Sequence, residues 1–184
     1  MRVEADPVNL FAAFDHGKRS APAPAGLLIR GPVESDFRAL ERIEQLIRGG
    51  DGEARRSSWV RSIEREDALL MVAEIGSAVV GYAKASRLEP AADDVARPGF
   101  YLVGCSVHPE FRRQSVGREL TKARLSWIAE RADEAWYFCN ARNESSVAMH
   151  DEFGFSEVLR AERIYGVQFS GGEGLLLRAK LIVH

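Results

Sequence analysis

The chain has 184 residues, which is enough for one well-buried domain and few for two. Its net charge of −2 gives no overall basic field that would favour nucleic acid or an acidic membrane as a partner. The two cysteines, Cys105 and Cys139, form no CxxC pair, and the histidines show no metal-ligand spacing, so we expect no disulfide scaffold and no metal site. The N-terminus is a poor signal peptide and no apolar run reaches the roughly 20 residues of a membrane helix, which indicates a cytoplasmic protein.

The N-terminal 26 residues differ in character from the rest. Residues 18–26 alternate proline with small residues, a pattern that blocks both helices and sheet ladders and therefore predicts a linker. Ahead of it, Val8–Phe14 is apolar enough for a short helix. We therefore divide the chain into an N-terminal extension and linker, residues 1–26, and a single domain, residues 27–184.

The first half of the domain shows regular hydrophobic periodicity. It predicts, in order, a strand at Leu27–Arg30, helices at Glu34–Ile47 and Glu53–Arg65, and strands at Leu69–Ile75 and Ala78–Ser86. Gly76 and Ser77 join the last two strands. They suit a two-residue type II′ turn, because glycine accepts a positive φ at the first position.

The second half alternates strands with helices. After a polar loop at residues 87–99 it predicts a strand at Phe100–Val107, a helix at Val116–Arg131, a strand at Ala135–Asn140, a helix at Glu144–Phe153 capped by Asn143, and strands at Glu157–Val167 and Leu175–Val183. A hairpin followed by alternating strands and helices indicates a mixed α/β sheet.

The segment between Val107 and Arg118 is the best candidate for a binding site. There a strand ends at a proline, a basic loop follows and a helix begins near Ser115. Unpaired N–H groups and the macrodipole at a helix N-terminus favour an anion such as a pyrophosphate. Gly117 allows close approach because it has no Cβ. The alternative is a solvated basic loop that only caps the helix.

Two motifs resemble the Gcn5-related N-acetyltransferase (GNAT) superfamily. The run from Val107 to Arg118 is similar to its acyl-CoA signature, an apolar strand with V-x-P-x-x-R and then R/Q-x-x-G-x-G/A, with Ser115 in place of the first glycine. Residues 143–155 resemble a second motif, N-x-x-A-x-x-x-Y-x-x-x-G-F, with His150 in place of the tyrosine. The two motifs occur in the family's order and at a plausible separation.

The resemblance implies a GNAT-like fold, a mixed, mostly antiparallel sheet of six to seven strands that is twisted and flanked by helices. It implies an enzyme that moves an acetyl group from acetyl-CoA to a primary amine by direct attack, without a metal or a covalent acyl-enzyme. The acceptor would be a small-molecule or peptide amine, and a homodimer is compatible with this fold. Two alternatives stay open: a catalytically impaired acyl-CoA-binding regulatory or interaction module, and a transferase for a longer acyl chain or a hydroxyl acceptor.

The resemblance also implies site residues. The cofactor-binding set is Cys105, Ser106, Val107, Arg112, Arg113, Gln114, Ser115, Val116, Gly117, Arg118 and Asn143. The strand backbone at residues 105–107 would line the pantetheine arm and polarise the thioester carbonyl, the N–H groups of residues 113–118 would hold the pyrophosphate, and Asn143 would bond the cofactor arm.

The catalytic residues are less defined by the motifs. His150 is a candidate general acid, because an imidazole titrates near neutral pH; the alternative is a histidine on a helix surface. Glu74 is a candidate base in a central strand, with a solvent-facing glutamate as the alternative. We expect Cys105 to be a buried strand cysteine rather than a nucleophile. Acidic residues of the 87–98 loop, Asp94 among them, either attract a cationic amine or belong to a plain solvated loop.

Overall fold

The computed structural model of the chain describes residues 21–49 and 53–181. The predicted helix Val8–Phe14 lies outside the described residues, as does part of the predicted linker. Residues 24–27 form a turn in which the N–H of Leu27 donates to the carbonyl of Pro24. Within the described part of the chain no helix is long and apolar enough to cross a membrane.

The helices and strands follow the predicted order closely. The described residues form four α-helices: α1 Phe37–Arg48, α2 Glu53–Glu64, α3 Val116–Ala129 and α4 Glu144–Asp151. They also form nine strands: β1 Leu27–Arg30, β2 Ala68–Ile75, β3 Ala78–Leu88, β4 Gly99–Val107, β5 Glu134–Asn140, β6 Ser156–Ala161, β7 Arg163–Ile164, β8 Val167–Gln168 and β9 Gly174–Lys180. Short 3-10 turns occur at Glu34–Asp36 and Pro109–Phe111.

Seven strands form one sheet in the order β1-β2-β3-β4-β5-β9-β6, and β7 pairs with β8 separately. The β1–β2, β5–β9 and β6–β9 pairs are antiparallel, whereas β4 and β5 are parallel. The predicted mixed, mostly antiparallel sheet with flanking helices is therefore confirmed. The contacts divide the described residues into two compact units: the first runs up to Lys84 and includes Gly104–Ala123, and the second comprises Ala85–Val103 and the residues from Arg124 onward.

The first unit packs side chains on both faces of its strands. Leu40 of α1, Trp59 of α2 and Val72 of β2 belong to one buried cluster. Ala73, the next residue of β2, belongs to another cluster that includes Leu120 of α3. Successive strand side chains point to opposite faces, so this alternation places α1 and α2 on one face and α3 on the other.

The hairpin between β2 and β3 has the predicted two-residue connection. Gly76 has a φ of +63°, the sign that a type II′ turn requires at its first position. Farther along β3, Tyr82 packs with the α1–α2 cluster and the next residue, Ala83, with the α3 cluster. Lys84, two residues after Tyr82, therefore lies on the α1–α2 face of the first unit.

The second unit is built around β9. This strand pairs with β5 over its whole length, from Glu134 opposite Lys180 to Asn140 opposite Gly174, and with β6 on its other side. Buried Tyr101, Trp136 and Leu176 belong to the core of this unit.

The predicted single strand Glu157–Val167 is wrong in its second half. Strand β6 ends at Ala161, and the chain then forms the small β7–β8 hairpin. Tyr165 and Gly166 have φ values of 49° and 70° at its tip, and a tight two-residue turn of this kind interrupts an extended strand. The carboxylate of Asp94 accepts hydrogen bonds from both of their N–H groups, at 2.9 and 3.0 Å, and fixes the turn.

Candidate functional site

Strand β4 carries an exposed segment although it is an interior strand of the sheet. Gly104 and Cys105 are exposed, whereas Tyr101, Leu102 and Ser106 of the same strand are buried. Gly104 has a φ of +62°, which a side-chain-bearing residue in a strand rarely adopts, so the regular extended geometry is interrupted there. This irregular segment leaves strand backbone accessible to a ligand.

The exposure of Cys105 corrects the expectation of a buried strand cysteine. The interruption of the strand at Gly104 opens it at this point. The other cysteine, Cys139 of β5, is buried, and its thiol has a pKa raised to about 11, mainly by burial. Neither cysteine forms a disulfide.

The loop after β4 is held by local hydrogen bonds. The N–H of His108 donates to the carbonyl of Val80 at 2.8 Å, and Pro109–Phe111 forms a single 3-10 turn. The side-chain amide of Gln114 donates to the carbonyl of Glu110 at 2.8 Å. These bonds hold a compact turn between the exposed strand segment and helix α3.

Two residues of this loop have left-handed backbone conformations. Arg113 has a φ of 62° and Ser115 a φ of 57°. A side-chain-bearing residue pays about 1–2 kcal/mol for this conformation, which explains why glycine suits the position of Ser115 in the family motif. Backbone N–H groups in turns with such left-handed residues can form concave anion-binding nests.

Helix α3 begins directly after this loop. Its first backbone hydrogen bond joins the N–H of Glu119 to the carbonyl of Ser115, at 3.0 Å. The N–H groups of Val116 and Gly117, in the first turn, therefore have no acceptor inside the helix, as at any helix N-terminus. Together with the helix macrodipole they suit an anion.

Residue 21 of the N-terminal extension contacts the same loop. The N–H of Ala21 donates to the carbonyl of Arg113 at 3.2 Å, and the hydroxyl of Ser115 donates to the carbonyl of Ala21. The hydroxyl of Ser115 therefore bonds the extension. The end of the extension and the predicted pyrophosphate loop are thus tied together.

Asn143 is the N-cap of α4, as predicted. Its side-chain oxygen accepts a hydrogen bond from the N–H of Ser146 at 3.3 Å. The structure therefore explains this asparagine by helix capping. Its predicted contact with a cofactor arm stays a prediction.

His150 lies on the same helix and is buried, with 2% of its surface exposed, so the alternative of a helix-surface histidine is wrong. Its ring stacks on Tyr137 at 3.8 Å between centroids. Its Nδ1 lies 2.7 Å from the carbonyl of Ser146, so Nδ1 carries a hydrogen and donates it. In the described part of the chain its buried Nε2 has no hydrogen-bond partner.

Burial dominates the titration of His150. It lowers the pKa of the imidazole to about 4, and the nearby positive charge of Arg124 acts in the same direction, while the bond to Ser146 opposes them. The side chain is therefore neutral at pH 7 with its single proton on Nδ1. In that form Nε2 accepts a proton rather than donating one.

Glu74 is held in an ion-pair network. Its carboxylate accepts hydrogen bonds from the guanidinium of Arg30, which also binds Asp36 at 2.6 Å. These bonds stabilise β1 against β2 and the turn that precedes α1. The pairing does not support a role as general base, which stays a prediction.

A buried carboxylate that we did not single out from the sequence lies beside β4. Glu44 of α1 is 2% exposed and accepts hydrogen bonds from the hydroxyls of Tyr82 and Ser106, both at 2.7 Å. Among the described residues its Oε2 accepts no hydrogen bond, but it forms ion pairs with Nε of Arg48 at 3.0 Å and Nε of Arg55 at 2.8 Å. Burial raises its pKa, but these partners outweigh burial and the net shift is downward.

A half-buried lysine lies on the same face of the first unit. The ammonium of Lys84 donates to the hydroxyl of Ser58 at 2.8 Å. A Cβ placed on Gly104 would lie 3.5 Å from Cε of Lys84, so the end of this side chain passes beside the exposed segment of β4. Burial lowers the pKa of Lys84, the charges of Arg55 and Arg61 lower it further, and Glu44 opposes them.

The acidic loop is not merely solvated. Asp94 accepts hydrogen bonds from the N–H groups of Ala96, Tyr165 and Gly166. Burial raises its pKa, and these three donors outweigh burial, so the net shift is downward. This carboxylate therefore fixes two turns of the second unit.

Comparison with known proteins identifies the family. The family model described as "Acetyltransferase (GNAT) family" matches residues 37–155. A search of curated proteins gave no match.

Solved structures with the same fold include a ribosomal-protein-alanine N-acetyltransferase from Brucella melitensis, at 25% identity over 84% of this chain and 99% of that one, with a TM-score of 0.67. An N-acetyltransferase from Staphylococcus aureus Mu50 is 16% identical over 86% of this chain and 100% of that one, with a TM-score of 0.69. The protein yncA from Salmonella typhimurium, solved with its cofactor acetyl-CoA, is 17% identical over 87% of this chain and 96% of that one, with a TM-score of 0.67. Because the family model covers more than half of the chain, this protein belongs to the GNAT acetyltransferase family.

Proposed function

We propose that this chain transfers an acetyl group from acetyl-CoA to a primary amine by direct attack. The observation that carries the proposal is the exposed backbone of interior strand β4 at Gly104 and Cys105, followed by a loop and a helix N-terminus that suit a pyrophosphate. Membership of the GNAT family supports the same activity.

The exposed strand segment fits the acyl end of the cofactor. When bound, acetyl-CoA supplies the acetyl group as an activated thioester. The backbone at Cys105 and Ser106 would align the pantetheine arm and polarise the thioester carbonyl, which stabilises the charge that develops on its oxygen. The hydroxyl of Ser106 is buried against Glu44, so this residue contributes through its backbone.

The loop and the start of α3 fit the pyrophosphate end. The N–H groups of Val116, Gly117 and Arg118 would donate to phosphate oxygens, and Arg112 and Arg113 add positive charge. Gly117 lets the phosphates approach the helix closely because it has no Cβ. Ser115 holds its hydroxyl on Ala21, so its side chain need not point at the phosphates.

His150 stays the proposed general acid, and its burial favours a second candidate function. A neutral imidazole whose only hydrogen is bound to the carbonyl of Ser146 is a poor proton donor. This observation supports the alternative of a cofactor-binding module that has lost catalysis. His150→Phe separates the two roles: as the acid, it should lower kcat with an unchanged dissociation constant for acetyl-CoA, whereas an unchanged kcat and pH profile would assign His150 to packing.

Release of free CoA in the presence of a broad amine panel tests the function. The proposal predicts amine-dependent thiol release from acetyl-CoA, and acetylated amine as the product. Normal acetyl-CoA binding without turnover on any amine would favour the impaired module. Higher kcat/KM with propionyl-CoA or succinyl-CoA, or turnover only with hydroxyl acceptors, would favour the third candidate. A cytoplasmic location and a homodimer stay predictions.

A further inference from the structure

The inference concerns the junction between the N-terminal extension and the loop that precedes α3. Ala21, the first described residue of the extension, forms two hydrogen bonds with this loop. Its N–H donates to the carbonyl of Arg113 at 3.2 Å, and its carbonyl accepts a bond from the hydroxyl of Ser115. We call this pair of bonds the clasp. It joins the extension directly to the loop proposed to hold the pyrophosphate.

The clasp uses groups of the loop that a phosphate does not need. A phosphate is bound by donors, whereas the carbonyl of Arg113 is an acceptor whose negative end would oppose an anion. The bond to Ser115 uses its hydroxyl and leaves its backbone N–H out of the clasp. Neither bond involves the N–H groups of Val116 and Gly117 at the start of α3. The clasp is therefore compatible with a bound pyrophosphate.

The two loop residues of the clasp are those with left-handed backbone conformations, with φ values of 62° at Arg113 and 57° at Ser115. This conformation costs free energy for a residue with a Cβ, and glycine at position 115 would avoid that cost. Glycine has no hydroxyl, so it would also lose the bond to Ala21. A strained residue whose side chain holds the extension indicates a task for the extension at this loop.

The chain between the clasp and the sheet is restrained. Pro22 and Pro24 have fixed φ angles, and the N–H of Leu27 donates to the carbonyl of Pro24 at 3.1 Å. Strand β1 then pairs with β2 from Leu27 onward. The position of Ala21 is therefore set from both sides, by the loop and by the sheet. The preceding part of the extension starts at the proposed pyrophosphate loop.

The charges closest to the clasp in the extension are positive. Arg19 and Lys18, which lie outside the described residues, are two and three residues before Ala21. An extended chain spans at most about 3.6 Å per residue, so their Cα atoms lie within about 7 Å and about 11 Å of that of Ala21. The nearest acidic residue before the clasp, Asp15, is six residues away. Two cations beside a basic loop suit an anionic ligand, whereas a segment that replaced such a ligand would need acidic residues here.

We propose that the extension is part of the cofactor site, with the clasp placing Lys18 and Arg19 where they bind phosphate groups of coenzyme A. This rests on the proposed function for the identity of the cofactor. It assigns a role to residues outside the segment 37–155 that matches the family model. Ser115 is a positioning residue in this account, because its side chain acts through Ala21.

Calorimetric titration of the full chain with CoA at about 50 mM salt tests the two cations. The double variant Lys18→Gln with Arg19→Gln should raise the dissociation constant by about 5- to 30-fold, and the ratio should shrink at about 0.5 M salt, which screens the charges. The exchange Lys18→Arg with Arg19→Lys keeps both charges and should stay within about threefold of the native affinity. The matched control is Arg38→Gln with Arg42→Gln, which removes two charges from exposed positions of α1, on the opposite face from α3. Its affinity should equal the native one.

A double-mutant cycle tests the clasp itself. Ser115→Ala keeps the backbone N–H and loses the bond to Ala21, so it should weaken CoA binding in the native chain. In the Lys18→Gln, Arg19→Gln background it should have less effect, because the two changes act through the same contact. Dephospho-CoA identifies the phosphate. A loss that persists with it assigns the cations to the pyrophosphate, and a loss that disappears assigns them to the 3′-phosphate.

Several results would overturn the proposal. Equal affinity in the native chain and in the Lys18→Gln, Arg19→Gln variant would do so, as would the same loss in the α1 control. Tighter binding in that variant or in Ser115→Ala would also do so, because the extension would then compete with the cofactor. Retained turnover with unchanged CoA affinity would refute this inference alone. Absent turnover, with binding that still depends on Lys18 and Arg19, would refute the acetyl transfer alone.

Discussion

Two regions with family motifs treat their polar groups in opposite ways. From Gly104 to Arg118 the chain leaves backbone exposed at Gly104 and Cys105, adopts left-handed conformations and ends at a helix N-terminus, which suits an anion. Around His150 it buries the titratable ring, stacks it on Tyr137 and binds its hydrogen internally. The first region has the exposed backbone that a ligand needs, whereas the second has the properties of a packed core.

A residue's position in a family motif indicates where a functional group lies in the family's fold. It does not indicate the protonation state of the residue that this chain has there. Backbone groups keep their donors whatever side chain follows, so the replacement of a glycine by Ser115 leaves the N–H groups in place. A side-chain acid depends on its environment, and burial removes the imidazolium that proton donation requires. The following predictions test both halves of this comparison.

The largest expected effect is on cofactor affinity. Gly117→Val should raise the dissociation constant of acetyl-CoA by at least about 100-fold, because a branched side chain would lie where the phosphates approach. Its melting temperature should change little, because valine is no less favourable than glycine inside a helix. Gly31→Val is the matched control, because a Cβ there meets nothing within 4 Å. Isothermal titration calorimetry measures the dissociation constant of acetyl-CoA for each variant. Equal affinity in the two variants would show that the start of α3 does not bind the cofactor.

The next effect is on stability. Glu44→Ala should lower the free energy of unfolding by about 2–4 kcal/mol, because it leaves the buried hydroxyls of Tyr82 and Ser106 without their acceptor, while the half-exposed Arg48 and Arg55 stay solvated. Glu41→Ala removes a partly exposed ion pair with Arg56, at 3.2 Å, and should change the free energy by less than about 1 kcal/mol. Urea unfolding of both variants measures the difference, and equal losses would contradict the buried network.

The third effect is a pH dependence at His150. Its folded pKa of about 4 lies below the usual 6.5, so above pH 6.5 neither state is protonated there and the histidine contributes no pH dependence. Below pH 6.5 the unfolded state takes up a proton that the folded state refuses, so stability should fall by about 2 kcal/mol between pH 7 and pH 5. His150→Phe should lack this loss and His108→Gln should keep it, as urea unfolding at the two pH values would show. An unchanged loss in His150→Phe would place the titration elsewhere.

The smallest effect concerns Ser115. Ser115→Gly relieves the left-handed strain, about 1–2 kcal/mol, but gives the unfolded chain more freedom and removes the bond to Ala21. We expect the free energy of unfolding to stay within about 1 kcal/mol of the native value. Ser115→Ala keeps the strain and loses the bond, so it should be the less stable variant. Thermal unfolding compares the two, and a more stable alanine variant would contradict the strain at this residue.

Local patterns predicted most of the fold. Strand β1 has the predicted ends, and the hairpin at Gly76 has the predicted φ, because both depend on alternation and on glycine's backbone freedom. The prediction of one strand at Glu157–Val167 was wrong. The sequence there still suits a strand, but Asp94, which is distant in the chain, stabilises a turn at Tyr165. Such a contact leaves no local signal.

The sequence predicted the backbone features of the candidate site. It did not predict which of its side chains are buried or exposed. The helix N-terminus after the basic loop follows from the sequence around Gly117. The exposure of Cys105 and the burial of His150 do not, because they depend on how strands and helices pack. Glu44 did leave a signal: it lies four residues after Leu40, on the apolar stripe of α1, where a charged residue needs buried partners.

Thermal unfolding of the full chain with acetyl-CoA, free CoA and ATP tests the central claim, that residues 104–118 hold coenzyme A. Acetyl-CoA at about 100 times its dissociation constant stabilises the folded state by about 2.7 kcal/mol. For a chain of this size that corresponds to a rise of roughly 5–10 °C in melting temperature. We predict this rise with both CoA species, no rise with ATP, and its loss in Gly117→Val. An unchanged melting temperature at millimolar acetyl-CoA would contradict the claim.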